Sequence, residues 1–189
     1  MNNTLKEKYN DIKIGSKRIY YKVVLCAKND ELDMIATLLD SGVDIIELSG
    51  KNVSSSYFLN IAKKVKLLCA HYDATLIIDE RVDIAFLTDA DGVFLSEADI
   101  DIESAKKILG QNALVGTSVI TNSKADFYLT DLLNANDNTY TFVCAGNDIE
   151  SCKNLIEAGA TKLLLSNLIP LSEKKSKQII QQIRGLLTK

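Results

Sequence analysis

The chain has 189 residues, 47% of them hydrophobic and 25% charged, with a formal net charge of −3. That length favours one domain with a sizeable core. The charge balance supplies no basic surface for nucleic acid or for an anionic membrane.

The N-terminal stretch MNNTLKEKYNDIK is too polar for a signal peptide, and no apolar run is long enough to span a bilayer. A cytoplasmic location is the expectation. Residues 1–16 read as a polar segment, and residues 17–189 as one domain. The first strand is expected over 21–27, inside the run YYKVVLCA. A helix end, a small turn and a buried strand follow in LLDSGVDIIEL, which puts the second strand at 44–48. A helix over 54–72 aligns Phe58, Ile61, Val65, Leu68 and Tyr72 on one face, behind serines that can cap its first turn. His71, the only histidine, falls on the outer side of that helix near its end.

The third strand, 75–78, runs into the charged cluster Asp79, Glu80, Arg81. The fourth, 92–95, runs into Ser96, Glu97 and Asp99. A helix over 101–109 stops at Gly110, and the fifth strand spans 114–119. The stretch to Tyr140 is too short for a helix, a strand and another helix. ADFYLTD (125–131) is read as the sixth strand, with the fifth and sixth helices reduced to loops. A single helix over 123–135, with a strand missing, stays open. Strands at 141–145 and 162–165, a helix over 148–158 ending at Gly159, and a last helix beyond Pro170 complete the chain.

These strands are apolar on both faces, as in a parallel sheet covered on both sides. Strand and helix alternate, and helix-end, turn and strand recur at 38–48, 86–95 and 155–165. No glycine-rich dinucleotide loop follows the first strand, so a (βα)₈ barrel fits better than an open sheet. Cys26, Cys69, Cys144 and Cys152 contain no CxxC spacing and read as small core residues in a reducing compartment.

In such a barrel the chemistry sits at the C-terminal strand ends. There the sequence places Glu47, Ser49 and Lys51, then Asp79, Glu80 and Arg81, then Asp99, Ser118, Gly146 and Ser166. Carboxylates on neighbouring strands suit a hard ion such as Mg²⁺. Lys51, and backbone amides near Gly116 or Gly146, suit a phosphate.

From SGVDIIELSGKNVSSSYF through AHYDATLIIDERVDIAFLTDADGVFLSEAD to ALVGTSVIT, the chain resembles the thiamine phosphate synthase family, which also includes a thiazole tautomerase. The resemblance runs from about Tyr20 to Ile169. It implies a TIM barrel. It also implies coupling of hydroxymethylpyrimidine diphosphate to a thiazole phosphate, with Mg²⁺ holding the departing pyrophosphate. Glu80 and Asp99 stand at the metal-ligand positions. Glu47, Lys51, Asp79, Arg81, Ser118, Gly146 and Ser166 stand at positions that hold substrate or diphosphate.

The motifs also depart from the family pattern. Glu47 and Asp79 replace amides, Ser49 replaces an arginine, and Phe94 replaces a histidine. The lysine-bearing loop after the sixth strand has no counterpart. The histidine of the tautomerase is Ile120 here. A trianionic diphosphate would therefore meet more acid and fewer cations, and the reading is a member whose synthase activity is weak or lost. A non-catalytic binding barrel, and an enzyme on another small substrate of cationic character, stay open. Partners reduce to a small phosphorylated substrate or none, with self-association into a homo-oligomer also open.

Overall fold

The structure, a computed structural model, describes residues 8–27, 30–131, 140–145, 148–166 and 173–188. Eight parallel strands close into a barrel in sequence order. They are β1 (Ile19–Val24), β2 (Ile45–Ser49), β3 (Thr75–Asp79), β4 (Gly92–Leu95), β5 (Leu114–Thr117), β6 (Phe127–Thr130), β7 (Thr141–Cys144) and β8 (Leu163–Ser166). The helices are a single π-helical turn α1 (Asp11–Gly15), then α2 (Glu31–Asp40), α3 (Ser55–His71), α4 (Val82–Thr88), α5 (Ile102–Leu109), α6 (Ile149–Glu157) and α7 (Glu173–Leu187). The expected (βα)₈ architecture is the one observed. Between β5 and β6 no helix lies, as expected; the connection expected to replace the sixth helix falls at 132–139, outside the described residues.

Local signals placed these elements. Ser54 caps α3, its Oγ accepting from the Tyr57 N–H at 3.3 Å. Gly110 and Gly159 take φ of 95° and 106° just past α5 and α6, where any Cβ would be strained. The stretch 127–130 is a strand and not part of a helix over 123–135: it pairs in parallel with β5 on one side and β7 on the other, all four of its side chains buried.

The first strand differs from expectation, starting two residues earlier and ending at Val24. Its start is fixed by Asp44, whose Oδ2 accepts from the N–H groups of Arg18 and Ile19. Leu25 N–H still donates to Ser49 O of β2, and beyond it the chain leaves the sheet: the Cys26 N–H donates to Glu31, and Ala27 turns to φ 58°. The fifth strand likewise stops at Thr117, short of the expected Val119.

Two apolar layers result. One lies between strands and helices, with Ile46, Leu48, Phe58 and Val65 fully buried. The other fills the barrel, with Tyr20, Ile45, Ile77, Leu114, Phe127 and Phe142. Phe127 needs Gly116 opposite it, since a Cβ there would stand 2.2 Å from its ring. Ile14, from α1, completes the inner layer from below and is fully buried. The carbonyls around it are held by the floor of the barrel. Lys162 Nζ donates to Ile14 O, Gly15 O and Lys17 O, and Thr75 Oγ1 donates to Lys13 O.

Candidate functional site

In a parallel barrel, strand parity decides which side chains face inward, and register decides which of them stand level. Lys22 of β1 pairs in register with Glu47 of β2 on one side and Ser166 of β8 on the other. Asp79, the last residue of β3, is level with Phe94 of β4. Around the mouth these residues meet. Lys22 Nζ lies 2.6 Å from Glu47 Oε1 and 3.0 Å from Asp79 Oδ2. Tyr20 donates its hydroxyl to Glu47 Oε2 at 2.7 Å. The Phe94 ring centroid is 5.9 Å from the Lys22 ammonium.

Lys22 is the residue that sequence reasoning missed. It looked like one charge in an apolar strand. Its place in the alternation Tyr20–Lys22–Val24 was the available signal, because Tyr20 belongs to the barrel interior.

The electrostatics follow from this packing. Glu47 is fully buried and Asp79 is 3% exposed. Burial pushes the Glu47 carboxyl above the usual range, and Lys22 pulls it back only in part, while Asp79 adds to the rise. Burial also works against the Lys22 charge, but Glu47 and Asp79 outweigh it and hold the ammonium above the ordinary lysine range. The two acids standing where the family carries amides are therefore not bare charges facing a ligand. They are buried, and one internal cation lies between them.

Further out, each candidate cation has an acidic partner. Lys51, just beyond β2, bonds Glu80 Oε1 at 2.7 Å. Arg81 grips Asp83 with two hydrogen bonds, of 2.8 and 2.6 Å, and touches Ser55 Oγ at 3.1 Å. Asp99 accepts from the N–H and the hydroxyl of Ser96, both at 2.7 Å. Ser118 is exposed after β5, and Ser166 is half-buried at the end of β8. Gly146 lies outside the described residues. Burial, and then Asp131, push the Cys144 thiol up to about 12, so it holds no thiolate at neutral pH. His71 is exposed at the end of α3, on the outer ring.

Glu80 has a φ of 63°, and Arg81 N–H closes on Asp79 O across it at 2.7 Å. This is the strained form of a three-residue turn. The Glu80 N–H is anchored on Phe94 O at 2.8 Å. Strain of this kind persists where the surroundings over-determine it, and it clusters at functional sites. The turn swings Glu80 out of the β3 alternation and toward Lys51.

Among the described residues, no group of three or more His, Cys, Asp or Glu side chains could hold a metal by itself. Glu80 and Asp99 follow consecutive strands and are bonded to Lys51 and to Ser96; carboxylates are the chemistry Mg²⁺ takes, commonly one or two from the protein plus substrate oxygens.

A family model described as thiamine monophosphate synthase matches residues 21–147. The chain is 38% identical over 87 residues to the thiamine-phosphate synthase of Clostridioides difficile (strain 630), a match covering 46% of this chain and 41% of that protein. It is 36% identical over 101 residues to the thiamine-phosphate synthase of Fusobacterium nucleatum, covering 53% and 49%. The matched part thus spans about half the length of these relatives. A solved structure of thiamine phosphate pyrophosphorylase from Pyrococcus furiosus superposes with a TM-score of 0.78 at 20% identity, over 95% of this chain and 97% of that one. At that identity the likeness concerns the fold.

Proposed function

The chain belongs to the thiamine monophosphate synthase family, and from that premise we propose that it is a synthase-type barrel whose coupling of hydroxymethylpyrimidine diphosphate to thiazole phosphate is weak or lost. The observation that carries this reading is the state of the mouth's cations. Lys22, Lys51 and Arg81 each stand within 3.0 Å of carboxylates of the chain itself. A diphosphate must compete with those carboxylates for every one of them.

If the reaction persists, the protein is a Mg²⁺-dependent transferase. Glu80 and Asp99 would hold the ion, which when bound neutralises charge on a departing diphosphate. Lys51, released from Glu80, would meet phosphate oxygens, while the hydroxyls of Ser118 and Ser166 would donate to them. Phe94 gives one wall of the mouth a flat apolar face. Ser49 offers no guanidinium, and each charge-assisted hydrogen bond missing from the family pattern costs about 1.5–3 kcal/mol. Two such losses lower the rate by roughly 10²–10⁴-fold.

The test is formation of thiamine phosphate from the two substrates with Mg²⁺, beside the Clostridioides difficile relative. The expected rate is at least about 10²-fold lower. A rate within tenfold of the relative overturns the reading. In a second arm, Glu47→Gln combined with Asp79→Asn releases Lys22 from both acids. Pyrophosphate binding should then tighten by about tenfold, the worth of one good charge-assisted contact. Unchanged affinity would remove the ion pairs as the cause.

A further inference from the structure

The outer ring carries an apolar surface between two of its helices. On α4, the adjacent Phe86 and Leu87 are 60% and 55% exposed. On α3, which packs against α4, Leu67 is exposed, and a shallow groove of ≈ 400 Å³ runs past Leu59, Asn60, Lys63, Lys64 and Leu67. Single exposed apolar residues are ordinary, but three on two packed helices beside a groove mark a surface for another protein.

The charges on the two helices are of opposite sign. Lys63 and Lys64 are exposed, form no ion pair among the described residues, and share α3 with no acid. α4 holds no base. Of its acids, Asp83 is taken by Arg81, while Asp89 at its end is exposed and forms no ion pair among the described residues. Two contacts fix the relative height of the helices. Arg81, at the start of α4, reaches Ser55 at the start of α3. Lys66 of α3 reaches Asp91, just past the end of α4. Residues 81–91 therefore span the height of residues 55–66. Phe86 and Leu87 stand level with the groove around Asn60, and Asp89 stands level with Lys63 and Lys64.

We propose that α3 and α4 form a self-complementary face on which a second copy of this chain docks, related by a two-fold axis along the seam between the two helices. Such a rotation keeps heights and exchanges the helices. Phe86 and Leu87 of each copy then enter the α3 groove of the other, and each Asp89 meets Lys63 and Lys64. The charge pattern selects a second copy over an unrelated protein, because each helix carries the complement of its neighbour at the same height. The face lies on the outer ring, apart from the mouth, and its occupation does not depend on whether the coupling reaction survives.

The experiment follows the mass of the full chain by light scattering on a sizing column, across a concentration series. The unmodified chain should run as two copies at the upper end. A single copy throughout, or assemblies that keep growing past two, overturns the proposal. Phe86→Ser with Leu87→Ser, both at exposed places, should weaken association by about tenfold or more while the chain stays folded. Unchanged association overturns it. Charge reversal then tests the pairing itself. Lys63→Glu with Lys64→Glu leaves both helices acidic, and Asp89→Lys leaves both basic, so each variant alone should associate about tenfold or more weakly. Mixed, they should form a one-to-one dimer in native mass spectrometry, since an acidic α3 then meets a basic α4 and the reverse. A mixture that associates no better than its parts overturns the two-fold pairing. Should a charge variant fail to fold, the serine pair and the unmodified chain decide by the same outcomes.

Discussion

At opposite ends of the barrel sit two lysines with opposite chemistry. Lys162, at the floor, is 2% exposed and donates to three backbone carbonyls, with the Phe142 ring 5.5 Å away. Burial, and then Arg18, push it down to about 8, against the pull of Asp44 and Asp11. Lys22, at the mouth, lies between two carboxylates, and these hold it above the ordinary range despite its burial. Burial penalises both charges. The partners decide the outcome, since carbonyl dipoles do not offset desolvation as two full charges do. The floor lysine pins α1 under the barrel. The mouth lysine neutralises acids in the region where this fold places its chemistry.

The largest expected effect breaks the mouth side of this contrast. Lys22→Met leaves Glu47 and Asp79 buried without a cation, and should cost about 3–5 kcal/mol in urea unfolding at pH 7. The cost should shrink as pH falls, since burial holds the Glu47 carboxyl above the usual range. A loss below about 1 kcal/mol would mean that Lys22 is not the counter-charge. Next, Ile14→Ala empties a fully buried place at the floor. It should cost about 2–4 kcal/mol, measured the same way. A negligible cost would show that α1 does not belong to the barrel core.

The third effect is a difference in slope. Lys162 titrates near 8 when folded and about 10.4 when unfolded. Between those values the unfolded chain holds the extra proton, so stability should rise with pH across this window. Lys162→Met should flatten the rise. Lys22 carries the opposite sign, its folded value being raised. Its contribution is fully present below the unfolded lysine value and fades only as pH rises through the folded value. Equilibrium unfolding of the unmodified chain and of Lys162→Met from about pH 7.5 to 10 tests the Lys162 contribution as the difference between the two curves, and equal slopes would overturn the assignment. The smallest effect belongs to the rim. Lys51 is 58% exposed in its pair with Glu80, so Lys51→Ala should change stability by less than about 1 kcal/mol, and by still less in high salt.

Much of the fold was legible in the residues. Buried runs such as TLII and GVFL mark strands, because both faces of a parallel sheet are covered. Ser54, Gly110 and Gly159 mark helix ends, because capping and positive φ are local demands. The charged ends of β2, β3 and β4 were visible too, in Glu47, Lys51, Asp79, Glu80 and Asp99. Their pairing was not. Lys22 meets Glu47 and Asp79 only because parallel register sets strands distant in sequence level with one another, and period-two parity turns all three side chains inward. Asp79 and Glu80 are neighbours in the chain, yet one is buried against Lys22 and the other swings out to Lys51 through a residue at φ 63°. The sequence by itself determined which segments are buried, where helices end and which family the strand ends resemble, since those follow from local period and residue type. Only the tertiary structure decided which charges cancel, since that depends on register and on a strained turn that no local pattern encodes.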